Sequence, residues 1–367
     1  MRQRLLSLDA FRGLTIAGML LVNNPGSWSY VYAPLDHAEW NGWTPTDLIF
    51  PFFLFIMGIA LAISFARRTA TGATRADLVK KVLARGAIIW GLGLLLSGFP
   101  HYHLATIRIM GVLARIGLVY FGTGLIVLYA NERAQRWIIA GLLVGYWAVM
   151  TLVPVPGYGA GVLAPDGNLA QYVDRIVLGA HRWKPEWDPE GILSTFPAIA
   201  TCLLGVHWGR WLLADRALAE KAVAMFVWSN LAMLAGVVWG IWFPINKNLW
   251  TSSYVLFTAG FGLTLLATLY YVIDIRGYAR WALPFYVFGS NPILVFVLSG
   301  LFTRCLTLWK VGEPDGTTTS MYGWLFRHVF QPWAGTYNAS LAFALCYVLL
   351  FLALMWVPHR QGWFLKI

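Results

Sequence analysis

Charged residues are scarce in this chain. They make up 12% of its 367 residues, against 59% hydrophobic ones. Soluble domains carry about 25% charged residues, so the shortage excludes an ordinary soluble domain. Cysteine is scarce as well. Cys202, Cys305 and Cys346 lie in or beside apolar segments, and their spacing fits neither a metal site nor a disulfide framework. No metal is expected. Acids are few, 16 Asp and Glu against 27 Lys and Arg, for a net charge of +11. Such an excess can mark nucleic-acid binding when it forms a patch. Here its distribution follows a membrane instead, and no nucleic-acid partner is expected. No composition shift marks a linker and no internal repeat stands out, so one integral-membrane domain over residues 1–367 is the simplest reading. The first apolar segment has no small-residue cleavage site and is not read as a removable signal peptide.

What the chain has in abundance is long apolar runs. A membrane-spanning helix needs roughly 20 mainly apolar residues, and about ten segments qualify. They lie near 10–24, 45–66, 83–99, 109–130, 137–153, 192–213, 222–243, 254–274, 281–303 and 339–357. The first is short and ends on Asn23 and Asn24. The 20 Trp and 16 Tyr suit interfacial belts. With the N-terminus in the cytoplasm and the spans alternating, most of the Lys and Arg fall on cytoplasmic ends, including Arg4, Arg12, Arg67, Arg68, Lys80 and Lys81. The expected fold is therefore an all-α polytopic helical bundle in the lipid bilayer, with both termini cytoplasmic. The long loops near 154–191 and 304–338 then face outward.

One stretch breaks the apolar pattern. "LDHAEWNGWTPTDLIFPFFLFIMG", Leu35 to Gly58, crowds Asp36, His37, Glu39 and Asn41 before a hydrophobic helix that carries Asp47 in its first turns. Asp47 has a plain reading as a helix cap or dipole partner, and His37 one as an interfacial loop histidine. The density of polar groups beside lipid also fits a catalytic or ligand role. Further polar residues follow. "WDPEGIL" places Asp188 and Glu190 at the start of the 192–213 segment. "FPINKNLWTSSY" places Asn246, Lys247, Asn248 and Trp250 in an outer turn. "FGSNPIL" puts Ser290 and Asn291 before the helix-breaking Pro292, and "GVLARIG" puts Arg115 inside a span. An arginine inside a membrane must pair or line a water-filled path. Each has a structural alternative: a cap, a turn, a kink or an ion pair. Jointly they suggest a polar cavity open to the outside. At the cytoplasmic start, "RLLSLDAFRG" packs Arg4, Asp9 and Arg12 together, either as an ordinary anchor or to meet an anionic ligand.

The blocks "RLLSLDAFRGLTIAGMLLVNN", "HAEWNGWTPTDLIFPFFLFIMG", "RIMGVLARIGLVYF", "DPEGILSTFPAIATCLLG", "PINKNLWTSSYVLFTAG" and "FGSNPILVF" together resemble the heparan-α-glucosaminide N-acetyltransferase family. They occur in family order over nearly the whole chain. The resemblance implies transfer of an acetyl group from acetyl-CoA, bound from the cytoplasm, to an amino sugar on the far side. It maps the family's essential histidine onto His37 and a functional asparagine onto Asn23, with Asn24 as a competitor. The chain is shorter than the animal enzyme and looks like the compact bacterial form, which places it in the bacterial inner membrane.

The residues fit such a transfer. Histidine exchanges protons near pH 7, so His37 is expected to take the proton of the attacking amine. The Asn23 amide would stabilise the carbonyl oxygen. Either Asp36 or Asp47 would orient the imidazole. Asp188, Glu190, Asn41 and Asn291 are expected to bind the sugar, together with Asn246, Lys247 and Asn248. Trp40 or Trp250 would stack on it. Arg4, Asp9, Arg12, Arg115 and Ser290 are expected at the CoA site, with the arginines on its phosphates. Direct transfer in a ternary complex is favoured over an acetyl-histidine. The partners expected are acetyl-CoA, glucosamine or a related amino sugar, and the bilayer, with a homodimer left open. Two rivals are a sugar transporter with a midplane site and an acyltransferase acting on a cell-envelope glycan.

Overall fold

The computed structural model describes residues 5–313 and 316–365. Each of the expected apolar segments is helical. Among the described residues, seven helices are long and apolar enough to cross a membrane: Leu6–Asn23, Pro45–Ala70, Val112–Tyr129, Glu132–Leu152, Leu218–Trp239, Ser252–Ile275 and Tyr337–Arg360. An eighth span is counted if the bent pair Arg280–Ser290 and Pro292–Leu308, which turns through 71°, is taken as one. The remaining segments near 83–99 and 192–213 form the helices Arg75–Gly98 and Thr195–Leu213. The only paired strands among the described residues are Lys310–Gly312 and Thr318–Ser320, a short antiparallel hairpin. The fold is all-α and multi-pass, as the composition implies.

The chain forms two compact units. The first holds the described residues up to Ala38, Thr44–Phe50, and those from Thr268 on; the second holds Glu39–Trp43 and Pro51–Ala267. In lipid, helices gain little from burying apolar side chains against one another, so close backbone packing at small residues matters more. Both units use it. In the first, Gly13 of Leu6–Asn23 lies against the Phe285 carbonyl, and Gly289 lies against the Asp9 carbonyl, so two helices cross backbone to backbone. In the second, Gly58 meets the Cys202 carbonyl and Gly205 meets that of Phe55. An alanine at any of these positions would push the helices apart.

Helix starts follow local chemistry. Thr74 accepts from the Asp77 backbone while the Asp77 carboxylate reaches back to Thr74, a reciprocal cap. Asn131 and Asn168 cap the helices Glu132–Leu152 and Leu169–Leu178. The break at Asn291 follows from Pro292, which cannot donate a backbone hydrogen bond. The loop after Leu152 is irregular up to Asn168, as its Pro and Gly content requires.

Candidate functional site

In the first unit, the polar loop ahead of Pro45 is organised by Asp47. This residue lies in the 3-10 turn Pro45–Leu48 that leads into the helix Ile49–Ala70, and it is 1% exposed. Its two oxygens do different work. Oδ2 accepts the backbone N–H groups of Thr44 and Ala38, each at 3.0 Å, and the Thr44 hydroxyl at 3.2 Å. That is the capping role. Oδ1 lies 2.6 Å from His37 Nδ1. A carboxylate oxygen accepts here, so Nδ1 carries the proton and Nε2 is left as the basic nitrogen. The His37 side chain is 41% exposed while that of Asp47 is 2% exposed. A buried carboxylate thus holds an accessible imidazole in one tautomer. Asp36 is exposed, and its carboxylate accepts the His37 backbone N–H at 2.8 Å. Of the two acids, Asp47 grips the ring and Asp36 only the main chain.

The asparagine pair also separates. Asn24 is buried. It donates to Leu20 O at 2.9 Å and accepts from Thr303 at 2.7 Å, within a network that continues to Tyr347 and Ser299. Asn23, the last residue of its helix, is exposed and makes no side-chain hydrogen bond among the described residues.

Three of the residues expected at the CoA site come together at the helix break. Arg12 Nη1 lies 3.3 Å from Asp9 Oδ1 and donates to Gly289 O at 3.3 Å, next to Ser290. The Ser290 hydroxyl donates to Val287 O. Arg4 lies outside the described residues. Asn291 is spent on the chain itself: its amide donates to Trp363 O and accepts from Leu365 N–H, each at 2.8 Å. The structure brings it to the C-terminal segment.

The second unit gathers the other acids around an arginine that the sequence did not single out. Arg108 bonds both carboxylate oxygens of Asp188 and pairs with Glu190. Asp188 also accepts from Trp183 and Glu190 backbone N–H groups. Both acids are 5% exposed. Burial pulls the Arg108 guanidinium down, but the charges of Glu190 and Asp188 outweigh it and hold the group above its usual value. Asp188 and Glu190 are therefore buried against Arg108, which offsets one of their two charges, rather than presented to solvent.

Arg115 is completely buried. It donates to Gly191 O at 3.0 Å and to the Ser194 hydroxyl, and lies 5.2 Å from the Trp250 ring centroid. Trp250 is itself 1% exposed and donates its indole N–H to Thr201 at 3.1 Å, so it is a packing residue and presents no ring to a ligand. Asn246 is fully buried, donating to Asn41 at 3.1 Å and accepting from Leu249 N–H at 2.9 Å. Gly42, at φ +98°, donates its backbone N–H to Ile245 O at 2.8 Å. Trp40 donates to Leu163 O and meets Trp187 edge-on. The Trp40-Asn41-Gly42 block is thus a docking element for the turn at Ile245 and Asn246. Lys247 and Asn248 are half-buried in that turn. Asp174, also missed in the sequence, is 1% exposed and accepts Ile192 N–H at 2.8 Å. Burial pushes its carboxyl up to about 6, the nearby Asp188 adds to the push, and Arg115 and Arg182 oppose it.

An all-α multi-pass membrane protein with an exposed histidine held by a buried aspartate is the class that fold and site define. The chain belongs to the family described as heparan-alpha-glucosaminide N-acetyltransferase, catalytic, whose model matches residues 4–239. That match includes Asn23, His37, Asp47, Arg108 and Arg115, and stops short of Asn246 and Asn291. Among curated proteins, the heparan-alpha-glucosaminide N-acetyltransferase of Homo sapiens is 32% identical over 84% of this chain and 55% of its own. That of Mus musculus is 30% identical over 80% of this chain and 53% of its own. The chain spans about half the length of these relatives.

Proposed function

We propose that this chain is a transmembrane N-acetyltransferase that moves acetyl from cytoplasmic acetyl-CoA to the amine of glucosamine or a related terminal amino sugar on the outer, periplasmic side of a bacterial inner membrane. The observation that carries this reading is the His37–Asp47 pair. It supplies what acetylation of an amino sugar needs, a base with a fixed tautomer that substrate can reach. The family relationship supplies the reaction class.

In the proposed step the sugar ammonium first gives a proton to bulk solvent. His37 Nε2 then accepts the second proton as the amine nitrogen bonds to the thioester carbonyl carbon. The C–S bond breaks, and the imidazolium returns its proton to the departing thiolate. Asp47 stabilises the transient imidazolium through Nδ1–H. The exposed Asn23 amide is the donor proposed for the carbonyl oxygen as it becomes negative. Arg12, with Asp9 fixing its guanidinium beside Gly289 O, is proposed to meet a CoA phosphate. Direct attack in a ternary complex is preferred because an acetyl-imidazole on a half-exposed ring would lose its acetyl group to water.

The transporter reading draws on one observation, the 71° bend at Asn291, since discontinuous helices form binding sites in secondary transporters. The Asn291 amide, however, is occupied by the chain's own Trp363 and Leu365, which weighs against it as a substrate ligand.

Proteoliposomes of uniform orientation test the proposal. Acetyl-CoA on the face of the basic loops, with glucosamine on the opposite face, is expected to yield N-acetylglucosamine. Efficient reaction with both substrates on the glucosamine face alone would overturn the cross-membrane scheme.

A further inference from the structure

The run Thr44-Pro45-Thr46-Asp47 leads into the helix Ile49–Ala70. Pro45 has no backbone N–H and biases the residue before it toward extended backbone. Thr44 accordingly sits at φ −123° and ψ 168°. From there its hydroxyl reaches the segment that carries His37. The turn meets that segment at every second residue. The Thr46 hydroxyl donates to Pro34 O at 3.3 Å, and the Thr44 hydroxyl donates to Asp36 O at 2.5 Å. Asp47 Oδ2 accepts Ala38 N–H at 3.0 Å. Residues 34, 36 and 38 are thus held in the alternating way of a strand edge, but by side chains.

The last two of these contacts bracket His37. Where the imidazole points depends on the peptide planes on either side of it, and each plane turns as a rigid unit. The plane before His37 is held at both ends. Thr44 takes its carbonyl, and the Asp36 carboxylate accepts its N–H at 2.8 Å. The plane after His37 is held at the Ala38 N–H by Asp47 Oδ2, and the ring is held at Nδ1 by Asp47 Oδ1, 2.6 Å away. The turn itself is tied together, since Thr44 N–H donates to Oδ2 at 3.0 Å. The Thr44 hydroxyl has a single proton to give. Asp36 O is the nearer acceptor, and Asp47 Oδ2, at 3.2 Å, the farther. A helix cap uses the hydroxyl oxygen as an acceptor; here the proton goes outward, to the peptide of His37. Threonine suits this task because its branched side chain is stiff at χ1.

We propose that Thr44 is a positioning residue for His37: its hydroxyl clamps the peptide before the histidine, so that the ring stays on Asp47 in the Nδ1–H tautomer. This role rests on the reading of His37 as the base of acetyl transfer. Two readouts on the full chain in detergent test it. One is the kcat and KM of acetyl transfer. The other is nitrogen NMR of isotope-labelled histidine, which reports the tautomer without turnover, with His37→Ala assigning the signal. Wild type is expected to hold Nδ1–H at His37. Thr44→Val keeps the shape and loses the hydroxyl; Asp36 is exposed, so water can take up its carbonyl and the fold should persist. This variant is expected to mix tautomers and to lose kcat by roughly 10- to 100-fold with KM unchanged, the cost of a misplaced reacting group. Thr44→Ser keeps the donor and is expected to stay within about threefold of wild type. Thr46→Val cuts the contact at Pro34 without touching a peptide of His37, and is expected to stay within about threefold as well. Should Thr44→Val fold poorly, Thr44→Ala carries the same test. A wild-type tautomer or wild-type kcat in the folded variant would overturn the clamp. So would a loss that Thr46→Val matches or that Thr44→Ser fails to restore. A tautomer shift in Thr44→Val with no acetyl transfer by wild type would sink the transferase reading and leave the clamp standing. Transfer by wild type that Thr44→Val leaves unchanged would do the reverse.

Discussion

Asp47 in the first unit and Asp188 in the second are both buried acids in polar loops, at 1% and 5% exposure, and each is bonded by backbone N–H groups as well as by a side chain. Their side-chain partners separate them. Asp47 holds an imidazole that is 41% exposed. Asp188 shares with Glu190 a guanidinium that is 23% exposed and has both acids to satisfy. The first arrangement keeps the imidazole within reach of solvent. The second closes its charges on one another. The exposure of the imidazole, rather than the charge of the pair, is what makes His37 and Asp47 the candidate site.

That contrast breaks most sharply at His37. His37→Ala is expected to lower acetyl transfer by about 10²–10⁴-fold, the usual worth of a positioned base, with a smaller fall in melting temperature, since buried Asp47 loses its contact at Oδ1 but keeps the N–H bonds at Oδ2. Turnover above a tenth of wild type would remove the base role. In the second unit the same kind of deletion should act on stability. Arg108→Ala leaves Asp188 and Glu190 buried without their cation, at a cost of about 3–5 kcal/mol. Thermal unfolding in detergent reads it, and a variant as stable as wild type would show that these acids do not depend on Arg108.

Within the first unit, Asp36 and Asp47 sharpen the comparison further. Asp47→Asn keeps the shape but loses the charge that stabilises the imidazolium, and is expected to lower turnover on the order of 10²-fold. Asp36→Asn keeps an oxygen for the His37 N–H and is expected to change turnover less than threefold, a loss below about 1 kcal/mol. Equal losses in the two variants would mean that the 2.6 Å contact does not orient the base.

How far the sequence carried the reading depends on the separation of partners. Asp47 and His37 are ten residues apart, so their pairing was visible as a local cluster, with only the choice against Asp36 left to the structure. The apolar runs are local too, and each became a helix. Arg108 escaped notice because its partners lie 80 and 82 residues along the chain. Asp188 and Glu190 looked available for a sugar for the same reason. Trp250 reads in the sequence as a ring to stack on a sugar, yet its contacts with Arg115 and Thr201 come from distant helices. At Asn291 the proline made the break legible, while the C-terminal backbone that fills its amide lies 72 residues on.

Asp174 provides the smallest and most specific test of the second unit. It is buried like Asp188 but forms no ion pair among the described residues, and burial raises its carboxyl to about 6 from an ordinary 3.8. Between those values the folded chain holds a proton that the unfolded chain has lost. The unfolded state then binds fewer protons, so stability falls as pH rises through that window and levels off above it. The loss is on the order of 3 kcal/mol. Asp174→Asn stays neutral and its amide oxygen can still accept from Ile192 N–H, so the variant should lack this fall and be the more stable protein at pH 7. Unfolding midpoints measured from pH 4 to 7 on both proteins give the difference directly, and parallel curves would show that Asp174 titrates alike in both states.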